Sequence, residues 1–143
     1  MLVSSNFASI VPFRATQPRG KELPMTLNTD TPWIEGLTIG QTLARTAARV
    51  PTHDAVVFPH LGVRWSWADF DTRVTDTARA LWASGLRPGE QIAVWATNVP
   101  EWILLQFAAA RIGVILVTIN PAYRPFELEY VLKQSDTRAL FLI

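Results

Sequence analysis

The chain has 143 residues, of which 49% are hydrophobic, and its 13 basic and 12 acidic side chains give a net charge of +1. These values suit one folded domain and exclude a disordered chain. The balanced charge argues against a nucleic-acid partner, which would need a clustered basic face, and the absence of cysteine excludes disulfides and thiolate-bound metals.

Residues 1 to 36 show no sustained periodicity and carry four prolines, so we expect a disordered leader before a domain that spans residues 37 to 143. Met25 is a second candidate start. The stretch before Glu22 carries basic but no acidic residues. We expect a cytoplasmic protein, and this basic stretch supports the alternative, a mitochondrial protein in which residues 1 to 24 form a transit peptide.

The first part of the domain predicts a short helix and a β-hairpin. Thr38 is expected to cap the helix, whose inner face is predicted from a 3.6-residue period to consist of Ile39, Leu43, Ala47 and Val50. Residues 54 to 58 and 63 to 67 are rich in β-branched and aromatic side chains, and a turn at residues 60 to 62 separates them. This pattern predicts two antiparallel strands.

A second helix is predicted to follow the hairpin directly. Ser66 and Asp69 have the spacing of a capping box. The apolar positions of this helix recur with helical spacing, and they are Phe70, Val74, Ala78 and Leu81. Gly85 stands where a left-handed residue is wanted to end the helix.

Residues 91 to 143 alternate strands with helices. The predicted strands are 91 to 96, 114 to 118 and 138 to 143, and Pro100 and Pro125 open the helices between them. This alternation predicts an α/β fold with a partial parallel sheet and flanking helices. The last strand reaches the end of the sequence, so we expect the chain to be one part of a larger domain. No apolar stretch is long enough to predict a membrane span.

The usual phosphate-binding motifs are absent from the sequence, because no two glycines have the required spacing. The loop at residues 97 to 99 has polar side chains but no glycine, and we interpret Asn98 as a helix cap rather than a phosphate ligand. His53 and His60 are too few to predict a metal site.

Three glutamates are candidate proton donors or acceptors. Glu101 and Glu127 fall in first helical turns, where a carboxylate stabilises the helix without any catalytic role. Glu129 is the third.

Five stretches, taken in order, carry a family resemblance. They are Gly85 to Val94 (GLRPGEQIAV), Asn98 to Trp102 (NVPEW), Ala109 to Val114 (AARIGV), Ile119 to Tyr123 (INPAY) and Glu127 to Leu132 (ELEYVL). Together they resemble the N-terminal part of the adenylate-forming superfamily, and fatty-acyl-CoA synthetases most of all. The similarity covers residues 36 to 143, with Glu90 where the family often has Asp.

The resemblance implies that residues 37 to 143 are an incomplete N-terminal segment of an AMP-binding domain. Such an enzyme uses ATP and Mg²⁺ to activate a fatty acid, or another carboxylic acid, as an acyl-adenylate, and transfers the acyl group to coenzyme A. The family's Ser/Thr/Gly-rich loop, its later acidic and arginine motifs and its mobile catalytic lysine match no position here. We therefore expect no catalytic or metal-binding residue, no tight cofactor binding and no activity from this segment alone.

One loop is a candidate binding element by the same analogy. Its residues Asn120, Pro121, Ala122 and Tyr123 are expected near the coenzyme A entrance, and the alternative is a turn that only fixes the exit of the strand. For the whole chain, the alternatives are a small non-catalytic α/β module that binds a nucleotide or a partner, and a flavodoxin-like electron carrier. The acyl chain length and the oligomeric state cannot be predicted from the sequence.

Overall fold

The structure is a computed structural model that describes residues 10–12 and 36–143. Its helices and strands, in chain order, are β1 (Ile10–Pro12), α1 (Ile39–Arg49), β2 (Asp54–Phe58), β3 (Val63–Ser66), α2 (Trp67–Ala83), β4 (Gln91–Trp95), α3 (Pro100–Arg111), β5 (Ile115–Ile119), α4 (Pro125–Gln134) and β6 (Thr137–Leu142). A 3₁₀ turn at Pro59–Leu61 joins β2 to β3. No helix in these ranges is both long and apolar enough to cross a membrane.

Helix α1 begins with a capping box in which Thr38 accepts a hydrogen bond from the Gln41 backbone N–H, and the Gln41 side chain accepts one from Thr38. Its buried residues are Gly40, Leu43 and Ala47. The prediction that Ile39 belongs to the inner face is wrong, because its side chain is 56% exposed. The buried stripe is rotated toward Gly40, whose missing Cβ would lie 3.2 Å from the Cα of Arg111, so α1 and α3 approach closely there.

The hairpin and helix α2 form as the sequence predicts. Strands β2 and β3 pair antiparallel, and all four predicted inner residues of α2 are buried. The Ser66 hydroxyl donates to the Asp69 carboxylate over 2.7 Å and accepts from the Asp69 backbone N–H over 3.2 Å. Helix α2 ends with hydrogen bonds from the Gly85 N–H to the Trp82 carbonyl and from the Leu86 N–H to the Leu81 carbonyl.

The α2 cap should make stability depend on pH. The hydrogen bonds from the Ser66 side chain and backbone lower the pKa of Asp69 below its ordinary value of 3.8. A carboxylate with a lowered folded-state pKa stabilises the fold above its unfolded-state pKa, and this contribution is lost as the pH falls through the folded-state pKa. We expect Ser66→Ala to lower the urea midpoint at neutral pH and to lower it less in acid. Thr38→Ala is the matched control, because its partner Gln41 does not titrate, and an equal pH dependence in both variants would contradict the prediction.

Residues 10–12 and 36–143 form two sheets, a four-stranded sheet in the order β1-β6-β4-β5 and the β2-β3 hairpin. Strand β4 pairs parallel with both β5 and β6, which confirms the predicted parallel arrangement. Strand β1 pairs antiparallel with β6, so a disordered leader is the wrong description of Ile10–Pro12. The remainder of the predicted leader up to residue 35, including Met25, lies outside the described residues.

The four-stranded sheet separates two apolar clusters. Ile92, Val94 and Phe141 face the cluster that contains α2 and α3, whereas Ala93 and Leu140 face Leu132 of α4. Helices α3 and α4 therefore cover opposite faces of the sheet. Within the described part of the chain β5 is an edge strand, and its neighbouring residues Leu116 and Val117 pack against the two different apolar clusters.

Arg111 joins α3 to α2. Its guanidinium contacts the Asp71 carboxylate at 2.5 Å and the Thr75 hydroxyl, and both charged side chains are mostly buried, with exposures of 21% and 31%. These contacts fix the two helices that cover one face of the sheet.

Candidate functional site

The carboxyl ends of β4, β5 and β6 lie side by side at one end of the sheet. The strand register places Trp95 beside both Ile119 and Leu142. From β4 the chain passes through α3 to β5 on one side, and then through α4 to β6 on the other side of β4. This reversal is a topological switch point, where open α/β sheets commonly bind ligands beyond the carboxyl ends of the strands.

The loop that leaves β5 at this edge contains all four residues predicted to line a coenzyme A entrance. Asn120, Pro121 and Ala122 are exposed, and Tyr123 is half-buried. The Asn120 side-chain oxygen accepts a hydrogen bond from the Ala122 N–H over 3.0 Å, and the Asn120 carbonyl accepts one from the Tyr123 N–H over 3.0 Å. The loop is therefore a closed turn, as expected for a segment that fixes the exit of a strand.

Trp95 ties this loop to the neighbouring strand. Its indole N–H donates to the Asn120 carbonyl over 3.1 Å, across 25 positions of sequence. That carbonyl thus accepts from both Trp95 and Tyr123. The turn is fixed by the end of β4 as well as by its own hydrogen bonds.

The entry to α4 adds a charge beside the turn. Arg124 is exposed, and its backbone N–H donates to the Glu127 carboxylate over 2.8 Å. This bond confirms the structural role predicted for Glu127 at the helix N-terminus. Sequence reasoning missed both Trp95 and Arg124, although the position of Arg124 directly after the candidate loop was a usable signal.

The loop after β4 lies at the same end of the sheet, but the helix cap predicted there is absent. Thr97 and Asn98 are exposed, and the residue at the N-cap of α3 is Val99, which makes no side-chain capping bond. The prediction that Asn98 caps the helix is therefore wrong. Pro100 fixes the first turn instead, with Glu101 beside it as expected.

The described residues include no cluster of possible metal ligands. Among them, no group of three or more histidine or acidic side chains lies close enough to hold a cation. His53 and His60 are both exposed. Glu129 pairs with Lys133 one turn along α4, and the hydrogen bond from Lys133 lowers the pKa of Glu129, so this carboxylate is part of a surface ion pair.

Comparison with known proteins matches most of the described residues. A profile of the family described as "AMP-binding enzyme" matches residues 43–142. YngI of Bacillus subtilis (strain 168), which is named as an acyl-CoA synthetase, is 45% identical over 106 residues, covering 74% of this chain and 19% of YngI. The mitochondrial medium-chain acyl-CoA ligase ACSF2 of Homo sapiens is 44% identical over 107 residues, covering 75% of this chain and 17% of ACSF2.

The fold comparison agrees with the sequence comparison. The N-terminal domain of FACL13 from Mycobacterium tuberculosis superimposes with a TM-score of 0.70 and 28% identity, over 72% of this chain and 26% of that domain's chain. A second crystal form of the same domain gives a TM-score of 0.69 and 29% identity, over 71% of this chain and 26% of the other. The chain spans about a fifth of the length of the curated relatives it matches.

Proposed function

This chain belongs to the AMP-binding enzyme family, and we propose that it forms the opening part of an ATP-dependent fatty-acid–CoA ligase. In the proposed reaction the fatty acid carboxylate attacks the α-phosphorus of ATP, which forms an acyl-adenylate and releases pyrophosphate. The coenzyme A thiol then attacks the acyl carbon, which forms the thioester and releases AMP. The observation that carries the proposal is the ordered match of residues 43–142 to this family.

The role that we propose for this segment is that of a framework. Its described residues supply no cation site and no glycine-rich phosphate loop, so no step at the α-phosphorus is assigned to them. Mg²⁺ bound elsewhere in a complete enzyme would offset the charge of the triphosphate. What this segment would contribute is a rigid sheet edge, held by the Trp95–Asn120 hydrogen bond, on which a substrate can be positioned.

For coenzyme A we propose the turn Asn120 to Tyr123 together with Arg124. Coenzyme A carries several phosphate charges, and an exposed guanidinium is well suited to pair with phosphate oxygens. The N–H groups of Ala122 and Tyr123 are already paired within the turn, so the turn would position Arg124 rather than bind phosphate itself. Half-buried Tyr123 would provide an apolar surface at the entrance.

A chimera tests the proposed activity. The segment of human ACSF2 that aligns with this chain is replaced by the corresponding residues of this chain, and AMP and acyl-CoA are measured with octanoate, ATP, Mg²⁺ and coenzyme A. Because a framework residue set should be interchangeable, we expect kcat/KM within about tenfold of the parent enzyme. A chimera with native circular dichroism that forms no octanoate-dependent AMP would overturn the proposal.

The coenzyme A role of Arg124 is tested separately in the active chimera. Loss of a charge-assisted hydrogen bond should raise KM for coenzyme A by about tenfold in Arg124→Ala. The values of kcat and of KM for ATP should not change, because Arg124 is not assigned to the first step. Lys133→Ala is the matched control at the opposite end of α4. Equal KM values for coenzyme A in the two variants would exclude this role.

We propose a cytoplasmic location, with a mitochondrial one as the alternative. Two observations support the mitochondrial alternative. The ACSF2 proteins carry the word mitochondrial in their names, and the basic stretch before Glu22 has the composition of a transit peptide. Residues 1 to 36 fused to a fluorescent protein in yeast distinguish the two. Diffuse fluorescence supports the cytoplasm, and mitochondrial fluorescence supports the alternative.

A further inference from the structure

Trp95 is the side chain by which strand β4 holds the turn Asn120 to Tyr123. The strand register sets Trp95 beside Ile119, the last residue of β5, and Asn120 follows Ile119 directly. The Trp95 indole N–H donates to the Asn120 carbonyl over 3.1 Å. Trp95 and Tyr123 are both half-buried, and both pack against the apolar cluster between the sheet and α4. The turn is therefore attached to the sheet at its first residue and at its last.

The hydrogen bond from Trp95 differs from the bonds inside the turn. The N–H groups of Ala122 and Tyr123 donate to Asn120, and these two bonds close the turn whatever its orientation. The bond from Trp95 comes from another strand, so it sets how the turn lies on the sheet. Without it the turn would keep its own bonds, lose its fixed orientation and open more often. Arg124 adjoins the turn and is exposed, so a moving turn would spread its guanidinium over more positions.

We propose that Trp95 is a positioning residue for coenzyme A and that it acts only through Arg124. The inference rests on the coenzyme A role proposed above for Arg124. A guanidinium that is already held in place loses less conformational freedom when it pairs with a phosphate, so its affinity depends on how well the turn is fixed. The indole N–H is the group that fixes the turn, whereas the packing of the indole ring stabilises the fold whether or not coenzyme A is bound.

The kinetics of the active ACSF2 chimera test this role. Trp95→Phe removes the indole N–H and keeps an aromatic ring, so it should raise KM for coenzyme A about fivefold and leave kcat and KM for ATP unchanged. Trp95→His should give a KM closer to that of the parent, because Nε2 of histidine has the same ring position as the indole nitrogen and can donate a hydrogen bond. Trp102→Phe is the matched control. Trp102 is also half-buried, it packs against the cluster between the sheet and α3, and its indole donates to no described residue.

A double variant shows whether Trp95 acts through Arg124. In the Arg124→Ala background, Trp95→Phe should not raise KM for coenzyme A further, because the group that Trp95 positions is gone. A further rise of about fivefold in that background would overturn the proposal. It would also be overturned if Trp95→Phe had the same KM for coenzyme A as Trp102→Phe or as Trp95→His.

Hydrogen exchange of the same chimeras gives a readout that does not depend on activity. The amides of residues 122 and 123 should exchange about tenfold faster in Trp95→Phe than in Trp102→Phe, while the amides of α2 do not change. Equal exchange at the turn would contradict the inference even in an active enzyme. Faster exchange in α2 as well would contradict it, because Trp95 would then act on the whole fold.

Failure of the proposed coenzyme A site has a different signature. Arg124→Ala would then leave KM for coenzyme A unchanged, while the turn still exchanged faster in Trp95→Phe. That pair of results would overturn both proposals. A raised KM in Arg124→Ala with an unchanged KM in Trp95→Phe would overturn only the role of Trp95.

Discussion

Leu105→Ala should lower the free energy of unfolding by about 3 kcal/mol. Leu105 lies on the face of α3 that packs on the sheet, it has no solvent exposure, and it belongs to the larger apolar cluster with Ile92, Val94 and Phe70. Truncation removes buried methyl groups and leaves a cavity, because the sheet and α2 cannot both close onto the shortened side chain. A loss of this size is a large fraction of the typical stability of a small domain, about 5–15 kcal/mol.

Urea denaturation followed by far-ultraviolet circular dichroism measures this effect. Leu61→Ala is the matched control, because Leu61 is 50% exposed on the turn between β2 and β3 and should change the free energy by less than about 0.5 kcal/mol. If the two leucine variants unfolded at the same urea concentration, α3 would not pack on the sheet as described. The slope of the transition should match that of the parent chain if the unfolded state is unaffected.

Gly113→Ala should lower the free energy of unfolding by about 2 kcal/mol, through backbone strain and a close contact. Gly113 ends α3 with φ of +73°, a left-handed conformation that side chains disfavour. An added Cβ would lie 3.2 Å from the Cβ of Pro88, and the rigid proline ring has little freedom to move away. Pro88 is held near Gly113 because the N–H of the next residue, Gly89, donates to the Gly113 carbonyl over 2.8 Å.

A second glycine separates the two causes. Gly62 has φ of +65° but no heavy atom within 4 Å of an added Cβ, so Gly62→Ala should show the strain alone, about 1 kcal/mol. Thermal unfolding of both variants checks the difference. Equal losses would show that Pro88 yields without cost and that only the backbone conformation matters at Gly113.

Local signals predicted much of the fold because local interactions determine those parts. The Ser66–Asp69 capping box and the 3.6-residue period from Phe70 to Leu81 set the start and the buried face of α2. The three parallel strands β4, β5 and β6 were predicted to within one residue at each end. Prediction failed where packing between distant parts of the chain determines which face of a helix is buried. Ile39 is exposed because α1 turns Gly40 toward α3, and no pattern within α1 reveals that contact.

Strand order explains the other differences. Strand β5 is almost wholly apolar, yet Ile115 is 49% exposed, and β5 lies at an edge of the described sheet. Strand β1 is too short to show alternation, and its pairing depends on an edge formed more than a hundred residues later. The turn at Asn120 was predictable from its Asn-Pro sequence. The link to Trp95 was not, because it requires the parallel register of β4 and β5.

Gly40 limits which compensating mutations a genetic selection could return. The atom nearest to its missing Cβ is the Cα of Arg111, which every amino acid possesses, so no replacement at position 111 restores the lost space. Suppressors of a larger residue at position 40 should therefore appear at sites that widen the α1–α3 spacing. Alanine at position 40 would raise the intrinsic helix propensity of α1. Its Cβ would still lie too close to the Cα of Arg111, and helix propensity does not relieve that backbone contact.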